Sequence, residues 1–290
     1  MASLKEVKGR IATVNNTRKI TSAMKMVASA KLHKAQGAIT NMLPYERRLH
    51  GLLTNLLGGG EVLVWNTPRE VKRVALVVFS SNSSLCGGFN ANVIKHATQW
   101  LSQYQALGKD NILLYPVGKK VADALSKMGY AVQGNFQHLA DKPSFAEAAE
   151  LAQGLMNLFT QGEIDRVELL YNHFKSTASQ ILTREVYLPF LLSSPEQSEE
   201  ARKHQEETDY ILEPSREELL ETLLPKVLRM KLYTVLLDSN ASEHAARTMA
   251  MQIATDNADD LLQELTLMYN KTRQQAITNE LLDIVGGSMA

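Results

Sequence analysis

Apolar positions at the start of the chain recur at spacings of three and four. Leu4, Val7, Ile11 and Val14 form one seam, as on the buried stripe of a helix. Arg18, Thr21 and Lys25 occupy the next seam positions, so the stripe is expected to reappear rotated, through Ile20, Met24, Val27 and Ala28. Gly9 and Gly37 are the only glycines before Pro44, and Gly58-Gly59-Gly60 closes the segment. The pattern predicts one helix over about residues 3–57, roughly 80 Å long if continuous.

The period then changes. Arg73 to Phe79 is a short, β-branched apolar run, as expected of a buried parallel strand. Asn111 to Gly118 reads as a second strand, Gly129 to Val132 begins a third, and Arg166–Asn172 with Gln180–Val186 reads as an antiparallel hairpin. Helices are predicted over Asn90–Leu107, Lys119–Met128 and Ser144–Phe159, the last opened by a capping box of Ser144 and Glu147. Strands alternating with helices imply an α/β layer domain with a mainly parallel sheet, over about residues 70–192. Ser193 to Glu207 is polar and charged and reads as a surface loop, with Asp209–Leu212 as an edge strand after it.

Ser215 to Val285 holds one proline, Pro225, and no glycine. Ser215 and Glu218 make a capping box at its start, and Gly286-Gly287 supplies a stop. Such a helix runs roughly 100 Å, whereas a compact chain of this length has a radius of gyration of about 19 Å. The helix must protrude, and Pro225 is expected to kink its base. The plan is therefore a helix over residues 1–60, an α/β domain over 70–192, a loop and edge strand over 193–212, and a helix over 213–290. Two helices leaving one domain on the same side most simply wrap as an antiparallel coiled coil. The fold class is thus α/β: a long antiparallel coiled coil of the terminal helices with an inserted Rossmann-like α/β domain.

Composition is that of an ordinary water-soluble chain, with 44% hydrophobic and 21% charged residues. Net charge is zero but uneven. Lys5, Lys8, Arg10, Arg18, Lys19, Lys25, Lys31, Lys34, Arg47 and Arg48 face only Glu6 and Glu46 within the first fifty residues. A basic end of this kind suits an anionic partner, whether nucleic acid, lipid or an acidic protein surface. Cys86 is the single cysteine, so no internal disulfide forms, which fits a reducing compartment. No apolar run approaches a membrane span. No apolar stretch follows Met1, and no cleaved leader is expected.

Candidate chemistry is sparse. No phosphate-binding G-x-x-x-x-G-K-[ST] occurs, and Gly87-Gly88 lacks the rest of a dinucleotide fingerprint. Ser22-Ala23-Met24-Lys25 matches S-x-x-K, but S-D-N and K-T-G are missing. Cys86 follows a strand beside glycines without an identifiable base. The histidines show no i, i+4 pairing, so no metal site is expected. Asp256, Asp259 and Asp260 read as a solvated face or as partners of the basic helix. The basic helix carries one aromatic, Tyr45, and matches no nucleic-acid-binding module.

Three stretches together resemble the gamma subunit of F-type ATP synthases. They are Ile11 to Ala28, with Thr17-Arg18-Lys19-Ile20-Thr21-Ser22-Ala23-Met24-Lys25-Met26 at its centre; Leu85-Cys86-Gly87-Gly88-Phe89-Asn90; and the C-terminal run Ser242 to Met251, Asp256-Asn257-Ala258 and Asn270 to Gly287. The resemblance implies a rotor shaft, a non-catalytic subunit that couples ion-driven rotation to the catalytic cycle. The terminal helices would stand inside a ring of alpha and beta subunits. The α/β domain would meet the epsilon subunit and the membrane c-ring. It implies no cofactor, no nucleic acid, no nucleotide bound by this chain, and a peripheral place on the cytoplasmic face of a bacterial inner membrane. Lys19, Met24 and Lys25 would face acidic beta-subunit loops, and Arg273, Gln274, Thr278 and Glu280 would hydrogen-bond the beta subunit from the upper helix. Small and polar residues, Asn240-Ala241-Ser242 and Ala250 to Ala258, would form a shaft surface that slides in its sleeve. Some features depart from the family: Ser81-Asn82-Ser83-Ser84 stands where Ser-Asp-Arg-Gly is common, Ser288 replaces the alanine usual after the terminal glycine, Pro225 interrupts the base of the long helix, and the paired cysteines of chloroplast relatives are missing. The rival readings are an α/β enzyme with dimerising arms and a basic coiled-coil adaptor.

Overall fold

The computed structural model describes residues 3–57, 65, 67–190, 212–213 and 215–288. Helix α1 spans Leu4–Leu57 and continues through Pro44. The α/β domain follows as β1 (Val74–Phe79), α2 (Phe89–Gln103), β2 (Ile112–Val117), α3 (Lys119–Lys127), α4 (Gln137–Asp141), α5 (Phe145–Thr160), β3 (Arg166–Phe174) and β4 (Gln180–Leu188). Helix α6, Arg216–Ser288, ends the fold.

The sheet order is β2-β1-β3-β4. β1 pairs parallel with both β2 and β3, and β4 returns antiparallel to β3. Every residue of β1 is buried. The pleat sends alternate side chains to opposite faces. Val74, Leu76 and Val78 join Val93, Trp100, Val121 and Leu125 of α2 and α3. Ala75, Val77 and Phe79 join α5, the end of α1 and the base of α6, including Leu53, Leu155, Leu224 and Leu228. The base of α6 is therefore part of the domain core.

Several expectations change in detail. Gly129–Val132 is no strand: Val132 makes one parallel bridge to Leu114, and the Gln133 amide donates to the Leu114 carbonyl. α2 ends at Gln103, and a short 3-10 turn covers Gln105–Leu107. α4 was not evident from periodicity, because five residues hold barely more than one turn. Ser144 caps no backbone amide with its side chain, and Glu147 instead meets His138. Ser215 does cap α6: its Oγ accepts the Glu218 amide at 3.2 Å. α6 runs unbroken through Pro225 and past Gly286-Gly287 to Ser288. The glycine stop after α1, the loop over 193–207 and most of the edge strand over 209–212 lie outside the described residues.

Candidate functional site

The two long helices meet along a seam, and the seam does not rotate. Val7 is buried, and so are Ala28, Leu32 and Ala35 further along the same three-four spacing. The polar residues between them stay on the seam. Arg18 Nη1 bonds Asp259 Oδ1 at 2.8 Å, Thr21 and Thr255 share a 2.9 Å hydroxyl bond, and Lys25 Nζ donates to Gln252 Oε1 at 2.7 Å. Thr21 is only 8% exposed, whereas Ile20 and Val27 are 60% and 59% exposed. The expected rotation to Ile20 and Val27 is thus overturned. A polar group stays inside a coiled coil when the facing helix supplies a complementary partner, and here it does at three successive levels.

These pairs also fix the register. Ascending α1 by Arg18, Thr21 and Lys25 descends α6 by Asp259, Thr255 and Gln252, so the helices are antiparallel. Carried to Leu4, the same register runs out of partner near Arg273. Every described side chain from Arg273 to Val285 is exposed, which makes the end of α6 a single projecting helix.

The proposed contact residues fall into two groups. Lys19 is exposed, Met24 is half-buried, and Lys25 is half-buried and engaged by Gln252. Arg273, Gln274, Thr278 and Glu280 all lie on the projecting end, where the Thr278 hydroxyl donates back to the Gln274 carbonyl. At 1.5 Å per residue the groups stand roughly 20–40 Å apart along the axis. The fold presents them as two separate surfaces at different heights.

A third polar region lies where α6 crosses the C-terminal end of β1. Open α/β sheets usually bind ligands at such a point, where successive connections diverge. β1 feeds β2 on one side and pairs with β3 on the other. Here α6 occupies the crevice. Asn240 Nδ2 donates to the Ala140 carbonyl at 2.7 Å, and Ser242 Oγ to the Asn172 carbonyl at 2.8 Å. Arg247 bonds Glu243 at 2.6 Å and the Ser83 hydroxyl at 2.7 Å. The space left among Phe79, Ser80, Val117, Asn240 and Glu243 is about 10 Å³, about one water.

The loops beneath are built for this approach. Gly118 has φ +107°, and a Cβ there would stand 2.3 Å from the Ser80 carbonyl oxygen, so no larger residue fits. Gly87, at φ +58°, brings the loop beside Ala250. Asn82 occupies the departure from the family pattern. Its amide donates to the Gln137 carbonyl and the Asp141 carboxylate, and its oxygen accepts the Lys119 amide. One neutral side chain thus ties the loop to α3 and α4.

Sequence reasoning placed Asn240-Ala241-Ser242 on the sliding surface. Asn240 and Ser242 are buried against the domain and Ala241 against Leu32 and Ala35 of α1, so they belong to the joint. Ser239 to Ala245 mixes small and polar residues, which in a helix signals close approach to something, but periodicity cannot say to what. Burial has an electrostatic consequence. Desolvation raises the Glu243 carboxyl despite Arg247 beside it. Desolvation, followed by the charges of Arg247 and Lys31, pushes the His244 imidazole down to about 4.

The remaining candidates resolve simply. Cys86 is buried and receives the Asn90 amide at 3.1 Å. Asp259 pairs with Arg18, and Asp256 accepts from Gln252. Among the described residues no three His, Cys, Asp or Glu side chains gather as a metal site, and no helix is long and apolar enough to cross a membrane.

The chain matches the ATP synthase family model over residues 3–290. It is 68% identical over 292 aligned positions to the ATP synthase gamma chain of Phocaeicola vulgatus, with both chains fully covered. It is 64% identical to that of Bacteroides fragilis, again over the full length of both, and 47% identical to that of Flavobacterium johnsoniae, covering 100% of this chain and 99% of the relative. The fold resembles a chain of the Euglena gracilis mitochondrial ATP synthase, with TM-score 0.64, 20% identity, and coverage of 99% and 93%. It also resembles one of the Tetrahymena thermophila central stalk and c-ring, with TM-score 0.57, 24% identity, and coverage of 81% and 99%. A shaft of two antiparallel helices, rooted in an α/β foot and matched end to end by these relatives, places this chain in the gamma-chain family of ATP synthases.

Proposed function

We propose that this gamma chain works as a non-catalytic rotor, with its foot on the membrane c-ring and the epsilon subunit and its shaft inside a ring of alpha and beta subunits. The observation that carries this reading is the division of α6 into a root within the foot core and an end whose described side chains from Arg273 to Val285 are all exposed. Torque needs a rigid root, and transmission needs a surface left for other chains. Lys19 and Met24 on one level, and Arg273, Gln274, Thr278 and Glu280 on another, offer contacts at two heights to the beta subunits. Lys25 has a second role beside that contact, because it also bridges the seam. An arginine at the projecting end can make a two-pronged bond to a carboxylate.

The same reading assigns catalysis to the beta subunits. The filled crevice at the end of β1 supports it, since a nucleotide could enter there only by displacing α6. A peripheral position on the cytoplasmic membrane face follows from contact with the c-ring. The test is reconstitution. The purified chain should show no ATP turnover alone and should confer cooperative turnover when mixed with alpha and beta subunits. Robust hydrolysis by the lone chain would refute the proposal.

A further inference from the structure

A cleft of about 750 Å³ separates the middle of α1 from β3 and α6, lined among others by Ile39, Glu46, Tyr171, Phe174, Thr234 and Asp238. Glu46 and Lys231 also line a narrower cavity of about 110 Å³ behind it, walled by Leu49, Tyr187 and Val227. Clefts of this size suit small organic molecules.

Two polar groups in the cleft wall make no hydrogen bond among the described residues. Tyr171 is 6% exposed, yet its hydroxyl makes no hydrogen bond among the described residues. Thr234 Oγ1 is buried and equally unpaired. Buried polar groups are nearly always satisfied, so the Tyr171 hydroxyl and Thr234 Oγ1 leave bonding capacity unused in the cleft wall. The charges indicate its sign. Glu185, Asp238 and Glu46 all act on the Tyr171 phenol and, together with burial as the largest cause, push it above its ordinary range. Asp238 accepts from the Phe174 amide and from His173, and Glu185 pairs with Lys231 at 3.3 Å. Glu46 has no ion-pair partner among the described residues. Among the described residues the Glu46 carboxylate is thus the unpaired charge of the cleft, beside aromatic and aliphatic walls where a cation also gains from the ring faces.

We propose that this cleft binds a small organic cation with an apolar body, an arylalkylammonium being the simplest case. The ammonium sits between Glu46 and the Tyr171 hydroxyl, and the apolar body lies along Ile39, Phe174 and Val235. Such a ligand bridges α1 and α6 just above the foot. The site stands independently of the rotor reading; only an effect on coupled turnover depends on it.

The experiment is calorimetric titration of the full-length chain with phenethylammonium, and with 2-phenylethanol as the neutral counterpart. Saturable one-to-one binding is expected for the ammonium, with the alcohol at least about tenfold weaker. Glu46→Gln should weaken the ammonium about tenfold and leave the alcohol unchanged. Tyr171→Phe should weaken it a few-fold; if that variant melts early, Thr234→Val serves with the same expectation. No saturable binding, equal binding of amine and alcohol, or unchanged affinity in a folded Glu46→Gln chain would overturn the proposal. Spermidine binding as tightly as phenethylammonium would overturn the requirement for an apolar body.

Discussion

The two halves of α6 obey different rules although they are one helix. From Leu220 to Ala245 it is embedded, with Leu220, Leu224, Leu228, Ala241, Ser242 and Ala245 essentially sealed from solvent. From Met251 onward it is held on one side only, by spaced contacts such as Met251, Ala258 and Leu265 and by polar pairs to α1. From Arg273 to Val285 every described side chain is exposed. The lower half is fastened by apolar burial and by hydrogen bonds to foot carbonyls. The upper half is fastened by contacts that each contribute little. A rod that must be rooted below and approached by other chains above needs this asymmetry.

Four measurements would break or sharpen that contrast. Leu228→Ala removes a fully buried side chain at the root, and Leu281→Ala an exposed one at the tip. The first should lower stability by about 2–5 kcal/mol and the second by less than about 0.5 kcal/mol, read as urea unfolding midpoints. Equal losses would abolish the distinction.

The joint should carry a pH dependence that the tip lacks. His244 titrates near 4 in the folded chain, below its ordinary value of about 6.5. The unfolded chain therefore binds the extra proton between those values. The stability gained from a neutral buried imidazole is present above about pH 6.5 and is lost as pH falls towards 4, up to about 3 kcal/mol. Glu243, raised by burial, opposes the fall, because its protonated form suits the buried site. His244→Gln should flatten the slope of melting temperature against pH in this window. An unchanged slope would remove His244 as its source.

Arg18→Ala tests the polar seam. Its pair with Asp259 is 39% and 45% exposed, so the loss should be at most about 1 kcal/mol and should shrink in high salt. A larger, salt-insensitive loss would mean the upper coil is held as firmly as the root. Arg273→Ala should leave the melting temperature of the isolated chain unchanged within about 0.5 kcal/mol of stability, while turnover of the reconstituted complex falls. If turnover is unaffected, the projecting end makes no essential contact through this residue.

Much of the architecture was legible in the sequence because its signals are local. The three-four spacing of Leu4, Val7, Ile11 and Val14, the β-branched run at Val74–Phe79 and the Ser215 cap each act within a few residues. Signals weakened where elements were short, as at Gln137–Asp141, or where side chains had alternatives, as when Glu147 chose His138 over the helix cap. For the candidate contacts, the resemblance marked the exposed end of α6, and the structure separated it from the Lys19–Lys25 level. The joint was misread. Asn240 and Ser242 look like solvent-facing residues until the Ala140 and Asn172 carbonyls are set beside them.

The sequence by itself determined that two helices too long for one globule flank an α/β domain, because helix length and period are written into consecutive residues. Only the tertiary structure decided which polar residues face inward. Thr21 meets Thr255 across 234 positions of chain, and Asn240 meets Ala140 across 100. Whether a hydroxyl or an amide is a surface group or a buried tie depends on a complementary atom that no local pattern contains. At Arg18, Thr21 and Lys25 that partner exists, and so a seam that reads as interrupted is continuous.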